Sequence, residues 1–156
     1  MTHILLNIKY KQLNNILTDE KKGEAIIREW CNFNHHTLVR NPIMHVFPST
    51  YISKKNKDDD WDINKYQDNS IFSNFSYLDR YSNDEIKTYN YNGYTGIGIL
   101  KESHISIHTY PEENSMHVDF FSCRNLDQRM NNEFIEKYFQ KSKTSSFDVT
   151  FINRII

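Results

Sequence analysis

Reactive side chains are concentrated in residues 102–112, which read Glu-Ser-His-Ile-Ser-Ile-His-Thr-Tyr-Pro-Glu. Two serines, two histidines and a threonine fall within seven consecutive positions of this segment. A hydroxyl beside an imidazole that titrates near neutral pH can support nucleophilic attack and proton transfer. The same alternation is typical of a half-buried strand with one polar face. The residue types alone therefore leave open whether the segment is a reactive site or an ordinary strand.

The segment closely resembles the self-processing motif of bacterial and archaeal S-adenosylmethionine decarboxylases, because it contains the Glu-Ser-His-x-x-x-His-Thr-x-Pro-Glu string of that family. Val118–Cys123 resembles the family's strand that ends in a reactive cysteine, and Tyr94–Gly96 resembles the turn that enters the strand before the cleavage site. Weaker similarity at His3–Leu6 and Val149–Arg154 extends the resemblance over most of the chain outside 49–91. The chain is accordingly identified as a member of this pyruvoyl-dependent family.

The resemblance implies a proenzyme that cuts itself between Glu102 and Ser103. In the family, the serine hydroxyl attacks the preceding carbonyl to give an ester, and loss of the serine α-proton breaks that ester and leaves dehydroalanine. Hydrolysis then releases ammonia and leaves a pyruvoyl group at a new N-terminus. The expected cofactor is therefore a pyruvoyl group derived from Ser103, at the N-terminus of an α chain of residues 103–156 that stays bound to a β chain of residues 1–102.

Two further residues match the family's processing machinery. Attack on an amide needs a strained turn and a donor for the oxyanion. Thr95 stands where the family usually has a serine, so it keeps the hydroxyl but adds a methyl group, and slower cleavage is expected. His108 matches the base that removes the α-proton. A regular strand would put Ser103 and His108 on opposite faces, so a bend or bulge is predicted between them if both act together.

The resemblance also implies residues for the decarboxylation. The substrate amine forms a Schiff base with the pyruvoyl carbon, and electrons move into the conjugated carbonyl as CO₂ leaves. Cys123 matches the family's proton donor, for which a protonated thiol is suitable, and a buried structural thiol is the alternative. Phe47 resembles the aromatic residue that stacks on adenine, or else is a core residue, and Glu112 either holds the substrate or braces the hairpin. Cys31 is interpreted as a helix residue without a chemical role.

Hydrophobic periodicity predicts the elements that must position these residues. Two helices are expected. The first is capped by Thr18 or Asp19 and runs to about Phe33, with a packed face at Ala25, Ile26, Glu29 and Trp30. The second is capped by Asp127 and reaches about Lys141, with a packed face at Met130, Phe134, Ile135 and Tyr138. Strands are predicted at His3–Tyr10, Thr95–Lys101, Ser103–Tyr110, Met116–Cys123 and Phe147–Ile152, with Thr37–Phe47 extended and a hairpin near Pro111. This order indicates an α+β two-layer sandwich with helices on one face of a mainly antiparallel sheet, an S-adenosylmethionine decarboxylase-like fold.

Residues 49–91 differ in character from the rest of the chain. They are rich in Asn, Asp, Lys, Ser and Tyr and contain the charged run Lys54–Asp60. A stretch of this length without periodicity is too long for an ordinary connection, yet its many aromatic residues imply packing. It is therefore interpreted as an insertion within a single domain of residues 1–156, located next to Phe47, where it could reshape a substrate pocket.

The bulk composition excludes several classes of partner. A formal net charge of −1 provides no basic field for nucleic acid or an anionic membrane. No apolar run approaches the roughly 20 residues that span a bilayer, so a cytoplasmic location is expected. Two widely spaced cysteines are expected to be free thiols. No metal is expected, because His35, His36 and His45 have no carboxylate or thiol at the usual ligand spacing.

The remaining alternatives concern substrate and partner. The main interpretation is decarboxylation of the small molecule S-adenosylmethionine for spermidine synthesis, in a homodimer of cleaved protomers with active sites at the protomer interface, as the resemblance implies. The same scaffold could instead act on ornithine or arginine, because pyruvoyl chemistry needs only an α-amino acid. A non-catalytic activating paralogue is a third alternative, but such a protein is expected to lack Ser103, His108 or Cys123, and this chain has all three.

Overall fold

The computed structural model of the chain describes residues 1–47, 50–53, 85–88 and 92–154. The strands are β1 (Thr2–Tyr10), β2 (Ile43–Phe47), β3 (Thr50–Ser53), β4 (Glu85–Thr88), β5 (Gly93–Leu100), β6 (Ser103–Tyr110), β7 (Ser115–Ser122) and β8 (Thr144–Asn153), and the helices are α1 (Glu20–Phe33) and α2 (Gln128–Tyr138). Single 3₁₀ turns lie at Asn15–Leu17, Pro111–Glu113 and Lys141–Lys143. Most of the predicted insertion lies outside the described residues.

Six of the strands form one antiparallel sheet in the order β2-β5-β6-β7-β1-β8. Strands β3 and β4 pair only with each other among the described residues. Both helices contribute to one core against a single face of the large sheet. On the other face, here called the open face, most of the described side chains are partly or fully exposed. The predicted α+β sandwich is therefore confirmed, including the hairpin at Pro111, whose 3₁₀ turn ends in a left-handed Asn114. Tyr94–Gly96 belong to β5 itself rather than to a turn that precedes it.

Helix α1 begins as predicted, because the Asp19 side chain accepts a hydrogen bond from Lys21 N and caps the first turn. Its buried face contains Ile26, Trp30 and three further residues at helical spacing, namely Gly23, Ile27 and Cys31. The predicted face that included Ala25 and Glu29 is wrong by about one residue, since Ala25 is only partly buried and Glu29 is exposed. Cys31 is buried in this face as a free thiol.

Helix α2 begins after Asp127, whose side chain caps Met130 N, but it ends at Tyr138 rather than near Lys141. The predicted packed position of Met130 is also wrong, because this side chain is exposed. Asn131 is buried instead, where its Oδ1 accepts a hydrogen bond from Trp30 Nε1 at 2.8 Å. A buried indole N–H needs an acceptor, so this hydrogen bond sets the rotation of α2 against α1.

Two core-facing glycines of β5 allow α1 to approach the sheet closely. A methyl group on Gly98 would overlap Ile27 Cγ2, whereas one on Gly96 would meet the end of the Met44 side chain at 2.7 Å. Isoleucine is stiff at its β-branch, whereas the long methionine side chain can move away. The distance between α1 and the sheet therefore depends most on the missing side chain at position 98.

We expect Gly98→Ala to destabilise the fold by about 1–3 kcal/mol, because overpacking against a stiff neighbour displaces the helix. Gly96→Ala is the matched control, since the flexible Met44 can absorb the extra methyl, and a smaller loss is expected. Urea unfolding of both variants, each in a form that cannot self-cleave, measures the difference. Equal losses would contradict the assignment of the close contact to position 98.

Candidate active site

The predicted cleavage site lies in a two-residue hairpin turn. Leu100, the last residue of β5, pairs with Ser103, the first residue of β6, so only Lys101 and Glu102 connect the strands. The turn is held from the side, because Lys101 N donates to Thr37 O at 3.0 Å and Val39 N donates to Ile99 O at 2.9 Å. The bond between Glu102 and Ser103 is therefore presented at the end of the sheet, with Glu102 exposed.

Ser103 and Cys123 are brought together at this end of the sheet. Ser103 pairs with Ser122, the last residue of β7, and Cys123 follows directly. The backbone N–H of Cys123 donates to Ser103 Oγ at 3.2 Å, and the Cys123 thiol is exposed. The structure thus places the predicted nucleophile and the predicted proton donor side by side, although they are 20 residues apart in the chain.

Thr95 and His108 form a second pair on the open face of the sheet. They are cross-strand neighbours on β5 and β6, and Thr95 Oγ1 lies 3.0 Å from His108 Nδ1. When Nδ1 carries the hydrogen and donates it to the threonine hydroxyl, Nε2 is free to accept a proton. A polar row continues across all six strands at this level, through His45, Thr95, His108, His117, Asn7 and Asp148.

The two pairs lie at opposite ends of β6. Its register with β5 and β7 runs without interruption from Ser103 past His108, so the predicted bend or bulge is wrong. Five residues of regular strand separate the two side chains by about 16 Å and leave them on opposite faces. Within one protomer, His108 therefore lies too far away to take the α-proton of Ser103.

Burial lowers the pKa of His108 below its usual range, and the neighbouring His117 lowers it further. The Asp119 carboxylate acts in the opposite direction but does not outweigh these two causes. The imidazole is consequently neutral near pH 7, which is the form that can act as a base.

Phe47 and Glu112 lie at the His108 end of the sheet. Phe47 ends β2 opposite Gly93 and is 42% exposed, so it is not a core residue. Its ring packs edge to face on His45, with 4.6 Å between centroids. Glu112 is an exposed residue of the 3₁₀ turn that joins β6 to β7. Neither residue contacts Ser103 in this chain; their roles in substrate binding stay a prediction.

Three residues behind Ser103 were missed by the sequence analysis. His36, Ser122 and Arg124 form a hydrogen-bonded group on the core side of the cleavage site. His36 is 5% exposed, and Ser122 is completely buried. The one signal in the sequence is the hydroxyl of Ser122 at a core-facing position of an otherwise apolar strand face, because a buried hydroxyl requires a partner.

A third polar group occupies the open face beside Ser103. His3 Nε2 lies 2.6 Å from Asp119 Oδ1, and His104 Nε2 lies 3.8 Å from the same oxygen. His104 stacks on Phe121, and His3 meets the edge of the same ring. These contacts connect β1, β6 and β7 across the middle of the open face.

In the part of the chain that the structure describes, no helix has the length and apolar character needed to cross a membrane.

Comparisons with known proteins agree with this architecture. A crystal structure of the adenosylmethionine decarboxylase from Aquifex aeolicus superimposes with a TM-score of 0.53 over 99% of this chain and 90% of that chain, at 17% identity. The chain therefore has the fold of that structural class. A model of the S-adenosylmethionine decarboxylase family matches residues 76–151, which include the whole hairpin motif and Cys123. Over this segment, just under half of its length, the chain is similar to the S-adenosylmethionine decarboxylase family.

Individual relatives match over shorter segments. The S-adenosylmethionine decarboxylase proenzyme of Methanococcus maripaludis is 37% identical over 67 residues, 41% of this chain and 55% of that protein. The proenzyme of Archaeoglobus fulgidus is 38% identical over 58 residues, 36% of this chain and 52% of that protein. That of Thermomicrobium roseum is 61% identical over 33 residues, 21% of this chain and 28% of that protein. The chain thus spans about half the length, or less, of the curated relatives it matches.

Stability of the folded chain is expected to fall as the pH is lowered from about 7.5 to 5.5. Burial lowers the pKa of both His36 and His108. For His36, Arg124 also lowers the pKa, whereas the Asn34 carbonyl and the Glu102 carboxylate raise it without reversing the net decrease. The unfolded imidazoles titrate near pH 6.5, so below that pH the unfolded state binds more protons than the folded state.

Urea unfolding of Ser103→Ala at several pH values measures this slope without interference from cleavage. Adding His108→Gln to that background removes one titrating ring and is expected to flatten the slope. Stability that stays constant or rises towards pH 5.5 would contradict the neutral assignment of the two rings.

Proposed function

We propose that this protein is a self-processing decarboxylase that converts S-adenosylmethionine to its decarboxylated form, the aminopropyl donor for spermidine synthesis. The observation that carries the proposal is the hydrogen bond from Cys123 N to Ser103 Oγ directly after the hairpin turn. This contact joins the hydroxyl that attacks the chain with the residue that protonates the product. The similarity of residues 76–151 to the S-adenosylmethionine decarboxylase family supports the same activity.

Cleavage begins at the turn between β5 and β6. Ser103 Oγ attacks the carbonyl carbon of Glu102, and the amide becomes an ester. His108 then removes the α-proton of Ser103, the Cβ–Oγ bond breaks, and Oγ departs as part of the new carboxylate of Glu102. Thr95 holds Nδ1 of His108 so that Nε2 receives the proton. The dehydroalanine that remains hydrolyses to a pyruvoyl group and ammonia, which leaves chains of 102 and 54 residues.

The surroundings of Ser103 fit a pyruvoyl group. Position 103 begins a strand, so a new N-terminus there is free on its turn side, and Cys123 N–H faces the position of the side chain. A pyruvoyl group supplies an electron sink for the electrons released with CO₂. The thiol of Cys123 is exposed beside this position, where it delivers a proton to the substrate α-carbon.

A second protomer resolves the separation of Ser103 from His108. We assign the open face of the sheet to a homodimer interface, because Ile97 and Ile99 leave more than a third of their surface exposed there. A two-fold axis that lies between the two facing sheets, over the middle of β6 and at a right angle to the strand, reverses the strand direction in the partner. It places the His108 end of one protomer over the Ser103 end of the other. Phe47 and Glu112 are then supplied to the site from the partner as substrate-binding residues.

Purified protein is expected to show two bands on denaturing electrophoresis and a hydrazine-reactive carbonyl on the smaller chain. Ser103→Ala is expected to give one intact band and no release of CO₂, because the ketone cannot form. Measurement of ¹⁴CO₂ from carboxyl-labelled S-adenosylmethionine, ornithine and arginine identifies the substrate. A Ser103→Ala protein that still releases CO₂ would overturn the proposal, and release from ornithine or arginine alone would overturn the substrate.

Complementation between two inactive chains tests the shared site. Co-expressed Ser103→Ala and His108→Ala chains are expected to form heterodimers in which one site has both an intact serine and an intact histidine. The His108→Ala chain should then be cleaved in the heterodimers, which contain about half of these chains at equal expression and random pairing, whereas neither chain is cleaved when expressed alone. The control is co-expression of the Ser103→Ala chain with a second chain that carries both Cys123→Ala and His108→Ala. The intact serine of the second chain still meets the intact histidine of the first, so cleavage should persist. Absence of cleavage in both mixtures would place the whole site within one protomer.

A further inference from the structure

His36 is a buried histidine to which the proposed chemistry gives no role. It follows the end of α1, where His35 adopts a left-handed conformation with φ 54°. His36 N donates to Cys31 O at 2.9 Å, and the Cys31 thiol donates to His36 O at 3.0 Å. These contacts fix the backbone at position 36 from both sides. The imidazole consequently lies under the sheet, where its edge meets the ring of Phe120 at a centroid distance of 5.5 Å.

The ring of His36 contacts the last residue of β7. His36 Nε2 lies 2.8 Å from Ser122 Oγ, and the same oxygen accepts a hydrogen bond from the backbone N–H of Arg124 at 3.0 Å. A serine hydroxyl that binds the N–H two residues later closes a tight turn. Cys123 is the middle residue of this turn. Since Ser122 is completely buried, its two partners determine the rotamer of the hydroxyl.

Arg124 attaches the other side of the same turn to the end of α1. One guanidinium nitrogen donates to His35 O at 2.8 Å and also contacts His36 Nδ1. The backbone that contains Cys123 is therefore held at Ser122 and at Arg124, and both attachments lead to residues 35 and 36. The N–H that lies between the two attachments is the one that donates to Ser103 Oγ.

We propose that His36 is a positioning residue for maturation, which acts through Ser122 to hold the Cys123 N–H against Ser103 Oγ. This inference rests on the proposed function. The N–H matters most in the second step, when the α-proton leaves, the Cβ=Cα bond forms and the Cβ–Oγ electrons pass to the departing Glu102 carboxylate. A donor at Oγ stabilises that developing negative charge. The same donor makes the hydroxyl a weaker nucleophile, so it gives no advantage in the first step.

Loss of the His36 contact therefore predicts a specific defect: the ester forms, but its elimination slows. His36→Phe keeps a buried ring of similar size and removes both nitrogens. We expect elimination to be about tenfold slower, as for the loss of one hydrogen bond, with visible accumulation of the ester. His36→Gln returns a polar group near Nε2 and is expected to restore most of the rate. Ser122→Ala removes the relay from the other side and should reproduce the defect of His36→Phe.

The experiment follows maturation of each full-length chain by intact mass spectrometry, with samples split for treatment with hydroxylamine. Hydroxylamine cuts the ester and leaves a hydroxamate on Glu102 and a serine N-terminus, whereas completed maturation leaves a pyruvoyl N-terminus. His35→Asn is the matched control, because position 35 contributes only its backbone carbonyl and asparagine tolerates the left-handed conformation. It should mature at the wild-type rate.

Ester accumulation in His36→Phe and Ser122→Ala, with rescue by His36→Gln, would support the positioning role. Wild-type rates in both variants would overturn it. Slow maturation without a hydroxylamine-sensitive ester would also overturn it, because a general structural defect impairs the first step as well. A wild-type chain that never acquires a pyruvoyl N-terminus would instead refute the proposed function.

Discussion

The uninterrupted hydrogen-bond register of β6 against β5 and β7 governs where chemistry can occur in this protein. Because successive side chains alternate between the faces of a strand, that register assigns Ile105 and Ile107 to the core and His104 and His108 to the open face. It also places Ser103 at the hairpin turn and His108 five residues further along. The two faces of this short strand therefore differ: one packs in the core, and the other presents the histidine to which the proposed function assigns proton transfer.

The helices contribute to the site through the precision of their packing rather than through exposed side chains. Trp30 packs against Phe120, Phe134 and Phe139 and donates its N–H to Asn131, so α1, α2 and β7 meet at one indole. The end of α1 is held in place by this contact, and residues 35 and 36 reach the turn at Cys123 from there. A disturbance of the aromatic core would consequently be transmitted to the backbone around Ser103.

Local patterns were sufficient to predict much of this arrangement. Asp19 and Asp127 cap their helices as expected, and β6 has the bounds that its alternation predicts. The proximity of Ser103 to Cys123 agrees with what the motif implies. Errors arose where a contact between distant segments decides the outcome. Met130 was placed in the core because the pattern favours apolar residues, but the need of the Trp30 N–H for an acceptor selects Asn131. His36 was missed for a similar reason, since its partner Ser122 is 86 residues away.

The strand order has a consequence for the proposed cleavage between Glu102 and Ser103. Residues before the cleavage site provide β1, β2 and β5, and residues after it provide β6, β7 and β8. In the sheet, β6 joins β5, and β1 lies between β7 and β8. Strands from the two polypeptides are therefore interleaved within one sheet. Separating them would break three complete antiparallel ladders and expose both halves of a common core. We therefore expect the proposed cleavage to free a chain end at position 103 while the two polypeptides remain one cooperatively folded protein.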